Sequence, residues 1–197
     1  MHPLLMQLRD LFADAAFPWA ICGGYALEIF AGKAIRPHGD IDLCLPESAR
    51  REIIRFLLRK GWHIYEYRGM GKVKPLRSPA DSEAGRNLMV LRDGCGLVSF
   101  FPCEEEGLLY HCFIPGMTEM NFLDLLFSPE MPQICHSASG LPILAPEAAL
   151  LYKAAQPESE SAELDFAAVC PLLDSDQKAW LRAELTACYP GGHPWNK

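Results

Sequence analysis

The chain has 197 residues, half of them hydrophobic, enough for one substantial core or for two small domains sharing an interface. A net charge of −7 and a pI near 5.4 argue against a protein that wraps nucleic acid by bulk electrostatics. No apolar run approaches the length of a membrane span, which excludes a membrane partner of that kind.

Residues 3 to 16 have apolar side chains at helical spacing, interrupted by Arg9, Asp10 and Asp14. They lack a signal-peptide core, so a cytoplasmic protein is expected. WAIC (19–22) reads as a short strand that runs into Gly23 and Gly24. YALEIFAG (25–32) reads as a helix stopped by Gly32. Residues 40 to 45, DIDLCL, form a strand in which Asp40 and Asp42 project together while Ile41 and Leu43 face the core. Two like charges so close resist burial, and the usual compensation is a cation.

ESARREIIRFLLRKG is a helix with Ile53, Ile54, Leu57 and Leu58 on its apolar face, ended by Gly61. WHIYEY (62–67) alternates like a strand, and residues 68 to 86 read as a long polar connection. NLMVLRD, LVSFFP and LLYHCFI look like consecutive strands joined by DGCG and CEEEG turns. An irregular stretch to about 140 precedes the short strand LPIL. A helix starting at Pro146 and two more, near 162–173 and 175–187, complete the chain. The expected division is an α/β domain over residues 1–145 and a C-terminal helical portion over 146–197. Trp180, Leu181 and Leu185 read as its core at helical spacing.

The eight cysteines contain no C-x-x-C and read as buried apolar residues. The spacing of Cys103, His111 and Cys112 matches no familiar zinc site. Most of the chemistry lies in residues 20 to 45. Two glycines where a strand enters a helix let backbone N–H groups approach a phosphate. Two carboxylates from one strand supply hard oxygen ligands for Mg²⁺.

The string CGGYALEIFAGKAIRPHGDIDLCL, with its Gly-Gly turn, R-x-H and alternating aspartates, resembles the nucleotidyltransferase superfamily of polymerase-β-like fold. It is most similar to the branch containing aminoglycoside and lincosamide nucleotidyltransferases. APEAALLYKAA, DFAAVCPLLD and GGHPW extend the resemblance along the chain. It implies an α/β (α+β) fold, a mixed twisted sheet flanked by helices, with a small C-terminal helical part. It also implies transfer of a nucleoside monophosphate from ATP or another NTP to a hydroxyl of a small molecule. Asp40 and Asp42 would then be catalytic ligands of two Mg²⁺ ions. Gly23, Gly24, Arg36, His38 and Lys153 would bind the nucleotide, with Arg36 and His38 either neutralising phosphate or holding the loop.

The family's third acid, on a later strand, falls at Ser99 in RDGCGLVSFFP, and Phe101 stands where a histidine is common. Serine is a poor base and a poor Mg²⁺ ligand. Either Glu104, Glu105 or Glu106 reaches the site, or two aspartates suffice, or the fold retains ligand binding with impaired catalysis. A nucleotidyltransferase of a toxin–antitoxin pair is a further reading. Asp165 is a helix-surface residue or one of structural or acceptor-binding role, and His193 and Trp195 pin the C-terminus.

Overall fold

Glycines and prolines break the chain into short elements, most of them close to the expected positions. The computed structural model describes residues 3–92, 98–113 and 122–196; the DGCG turn and much of the stretch before residue 122 lie outside them. In chain order the elements are α1 (Pro3–Leu11), β1 (Ala20–Ile21), α2 (Gly23–Ala31), β2 (Ile41–Pro46), α3 (Arg50–Arg59), β3 (His63–Gly69), β4 (Lys72–Leu76) and β5 (Leu88–Leu91). They continue with β6 (Val98–Pro102), β7 (Leu109–Phe113), β8 (Phe122–Ser128), β9 (Ile134–His136), β10 (Pro142–Leu144), α4 (Pro146–Lys153), α5 (Glu160–Val169) and α6 (Ser175–Cys188). Gly32 takes the left-handed conformation (φ 68°) that closes α2, as its position suggests.

The contacts divide the chain into two units. The first comprises residues 1–19 and 39–131, the second 20–38 and 132–197. Residues 20–38 and 132–145 therefore group with the C-terminal helices, whereas the sequence placed the boundary after 145.

In the first unit seven strands run in the order β6-β7-β4-β3-β5-β8-β2. Only the β8–β2 pair is parallel; the others are antiparallel. Facing residues in a ladder share a face, so the register Asp42↔Asp124, Asp124↔Met89 and Met89↔Tyr65 sets these four side chains on one face of the sheet. Tyr67, two residues beyond Tyr65, joins them. That face curls, since Tyr65 stacks on Phe100 of β6 at 4.3 Å between ring centroids. It encloses Val73, Met89, Leu91 and Val98. On α1 and α3, Leu5, Leu8, Ile53, Ile54 and Leu57 are buried, and Phe12 stacks on Phe56.

Residues 68–86, read as a connection, contain β4 and complete a hairpin. Its return is held by a buried polar network that the sequence did not suggest. Glu66, wholly buried, accepts hydrogen bonds from Ser82 Oγ (2.8 Å) and the Glu83 amide (2.7 Å) and pairs with Arg68 (2.7 Å). Arg50 binds Glu47 through two bonds, donates to Ser82 Oγ and the Arg86 carbonyl, and covers the Phe127 ring. A buried charge survives only when paired in this way.

In the second unit β1 pairs parallel to β10, and β10 antiparallel to β9. Helix α4 packs against α2, α5 and α6, and Leu27, Leu150, Leu181 and Leu185 on these helices are buried. Trp180, expected in that core, is instead 40% exposed. The tail is pinned as expected: Trp195 stacks on Phe166 at 4.3 Å. The His193 Nδ1 accepts the Trp195 amide, so Nε2 carries the proton and donates to the Ala154 carbonyl at 3.0 Å. Of the seven described cysteines none forms a disulfide; Cys22 and Cys44 are buried as expected, whereas Cys112 and Cys188 are exposed. No helix among the described residues is long and apolar enough to cross a membrane.

Candidate functional site

Strand geometry projects Asp40 and Asp42 together, and strand pairing adds a third carboxylate. Asp124, on β8 directly opposite Asp42, completes a cluster in which one oxygen from each of Asp40, Asp42 and Asp124 lies within 4.8 Å of the others. It is the one group of metal-ligating side chains of this kind among the described residues. The third acid is therefore present, and Ser99 is not its replacement. Ser99 opposes Cys112, whereas Phe100 opposes His111. Alternation thus turns Ser99 to the face opposite the aspartates, and Phe101, 53% exposed, goes with it. Glu104, Glu105 and Glu106 are exposed at a hairpin end, where Glu105 pairs with Lys72.

The residues around Asp124 make its charge costly. Burial raises the Asp124 pKa most; the Tyr67 hydroxyl, donating to Oδ1 at 2.6 Å, works against this, and the Asp40 and Asp42 charges raise it further. The net result is a carboxyl pushed up to about 7. Burial, then the Asp124 charge and hydrogen bond, in turn push the Tyr67 phenol far above its usual range.

A stability effect follows with a definite sign. Between the ordinary carboxylate pKa of about 4 and about 7, the folded protein holds a proton on Asp124 that the unfolded chain has released. Metal-free protein is therefore expected to lose stability as pH rises from 5 to 7, by on the order of a few kcal/mol. Below pH 5 the opposite trend enters, from carboxyls such as Glu47, held low chiefly by its Arg50 hydrogen bonds. Denaturant unfolding in a chelator across this range checks the slope; a flat profile would contradict it.

The other predicted site residues lie in the second unit. Glu28 on α2 holds the loop after it. Its Oε1 accepts the Ile35 amide (2.7 Å) and the Arg36 amide (3.1 Å) and lies 2.9 Å from His38 Nε2. Burial opposes ionisation of Glu28, yet these partners together lower its pKa. The His38 ring, 5% exposed, also lies on Tyr25. Arg36 makes a two-pronged bond to Asp165, Nε to Oδ1 and Nη2 to Oδ2, both 3.0 Å, and Lys153 Nζ stands 3.4 Å from Oδ2. Asp165 is wholly buried, so it is no helix-surface residue but the shared counter-ion of Arg36 and Lys153. Periodicity could not show this, because its partners come from other elements, Arg36 from the loop after α2 and Lys153 from α4.

Gly23 starts α2 with φ 61°, a conformation that favours glycine. A Cβ on Gly24 would stand 2.2 Å from His38 Cε1 and 2.5 Å from Arg36 Nη2. Gly24→Ala must therefore displace the ring and the guanidinium together. The expected cost is roughly 1–3 kcal/mol of stability, read from thermal unfolding; an unchanged melting temperature would show that the loop yields freely.

Comparison with known proteins bears on the fold. The profile of the aminoglycoside-2''-adenylyltransferase family matches residues 4–78. The lincosamide antibiotic adenylyltransferase LnuA, solved with lincomycin bound, superposes with a TM-score of 0.53 at 15% identity, covering 88% of this chain and 98% of its own. The antibiotic-resistance factor ANT(2'')-Ia in solution superposes with a TM-score of 0.57 at 15% identity, covering 95% and 92%. Its crystal structure with adenylyl-2''-tobramycin does so at 0.55 and 16% identity, covering 94% and 97%. The chain shares the fold of these antibiotic adenylyltransferases. No curated protein sequence matches it significantly. In this nucleotidyltransferase fold the residue that sequence reasoning missed is Asp124. Its signal was the alternation in NFLDLLF (121–127), an aspartate on one face of an otherwise apolar strand.

Proposed function

We propose that this protein is a metal-dependent nucleotidyltransferase that moves a nucleoside monophosphate from ATP or another NTP to a hydroxyl of a small molecule, of the aminoglycoside or lincosamide kind. The observation that carries this reading is the three-carboxylate cluster of Asp40, Asp42 and Asp124. Its donor set fits Mg²⁺: hard oxygens, three potential negative charges, and a carboxyl whose proton a cation would displace. Bound Mg²⁺, two ions in the full site, would neutralise triphosphate charge and aid departure of pyrophosphate. Asp40 and Asp42 are assigned as catalytic ligands, and Asp124 as the third.

Gly23, Gly24, Arg36, His38 and Lys153 are assigned to the nucleotide by sequence resemblance. Arg36 and Lys153 set two positive charges against the one of Asp165, leaving a surplus suited to phosphate. His38 contributes by fixing the loop to Glu28. A cytoplasmic setting supplies both ATP and Mg²⁺.

Calorimetric titration of ATP and the other NTPs, with and without Mg²⁺, tests the first half of this reading. Transfer of labelled AMP to a panel of aminoglycosides and lincosamides tests the second. Metal-dependent binding at micromolar levels is expected. Folded protein that binds no NTP in either condition would overturn the proposal.

A further inference from the structure

A carboxylate at the end of a short side chain turns about two bonds, and one crowded by two others tends to turn away from them. Asp124 is held in place by the bond from the Tyr67 hydroxyl to Oδ1 at 2.6 Å, on the side away from the apolar core of its own strand. Tyr67 reaches it from β3, with β5 lying between β3 and β8. Its ring is set against His111 at 5.7 Å, edge to face. It borders the apolar cluster of Val73, Met89, Leu91 and Val98. The phenol is thus held from behind while its hydroxyl holds Oδ1 of Asp124, a member of the carboxylate cluster.

The geometry points to Tyr67 as a positioning residue of the carboxylate cluster: its hydroxyl fixes Asp124 so that Asp124 and the two aspartates of the β2 segment present their oxygens to one divalent cation. This inference rests on the metal-dependent reading above. It does not make Tyr67 a ligand. Outer partners of this kind orient a ligand before the ion arrives, and their removal commonly weakens metal binding by tenfold or more. Tyr65 is a built-in control. It lies on the same face of the same strand and stacks on Phe100, but Asp124 takes its hydrogen bond from Tyr67.

The test uses Mn²⁺ as the probe, titrated into the metal-free full chain and followed by electron paramagnetic resonance of the free ion. Wild type, Tyr67→Phe, Tyr65→Phe and Asp124→Asn are compared, with the melting temperature of each metal-free protein recorded alongside. Tyr67→Phe is expected to bind Mn²⁺ on the order of tenfold more weakly, Tyr65→Phe as wild type does, and Asp124→Asn barely at all. A loss common to both tyrosine variants would assign the effect to packing and overturn the inference. So would wild-type affinity in Tyr67→Phe while Asp124→Asn has lost it. Failure of wild type to bind Mn²⁺ would overturn the metal reading itself and this inference with it. Should Tyr67→Phe melt early, its titration and that of wild type are repeated at a temperature where both are folded; wild-type Mn²⁺ affinity there would overturn the role of the hydrogen bond.

Discussion

Asp124→Asn is expected to abolish metal-dependent nucleotide binding while making the metal-free protein more stable. The two effects share one cause. Asp124 shares a space with Asp40 and Asp42 in which all three ligand oxygens lie within 4.8 Å, and burial and like charge push its carboxyl up to about 7. A neutral amide of the same shape removes the repulsion and can still accept the Tyr67 hydrogen bond through its oxygen. It also removes one of three hard anionic ligands, for which the two remaining aspartates do not substitute.

Metal-dependent ATP affinity should fall by about a hundredfold or more, whereas the melting temperature in chelator should rise at pH 7 and change little at pH 5. Calorimetry and thermal unfolding of the same sample read both. Ser99→Ala, on the opposite face, should alter neither. If Asp124→Asn binds Mg·ATP as wild type does, the three-carboxylate centre is not the metal site. A parallel loss in Asp40→Asn and Asp42→Asn would show the three acting as a unit.

The largest loss of stability is expected from Asp165→Ala. Asp165 is wholly buried, takes two 3.0 Å bonds from Arg36 and lies 3.4 Å from Lys153. Its removal leaves two partly buried cations facing each other across a cavity. Breaking a buried ion pair from one side costs about 3–5 kcal/mol, because the stranded charge keeps its desolvation penalty. Asp165→Asn, which retains an acceptor oxygen, should cost less. The difference between the variants in urea midpoint measures the charge rather than the volume. Equal stability of Asp165→Ala and wild type would mean that Arg36 and Lys153 find solvent at no cost, and the buried triplet would lose its structural role. Because Arg36 anchors the loop after α2, the same variant should weaken nucleotide binding if that loop serves the triphosphate.

Several features were legible in the residue order because their physics is local. A two-residue period sets Asp40 and Asp42 on one side whatever lies around the strand, and Gly32 ends α2 because its left-handed backbone costs little. The helices of the C-terminal portion followed from apolar spacing and from Pro146 at the start of α4. Trp180 went astray for the same reason. Periodicity marks a face but not its edge, and the ring sits at the edge.

Tertiary structure alone decided which distant residues complete each charged cluster. Asp124 meets Asp42 because β8 runs parallel to β2 in that register, a pairing between segments some eighty residues apart. The sequence led instead to Ser99, on the expected next strand, and the register turned that residue to the opposite face. Asp165 likewise acquires Arg36 and Lys153, and Glu66 acquires Ser82 and the Glu83 amide, only once the chain has closed. Local order sets which way a side chain points along its own element; which charge it meets depends on long-range pairing, and a buried carboxylate gives no sign of its partner until that pairing exists.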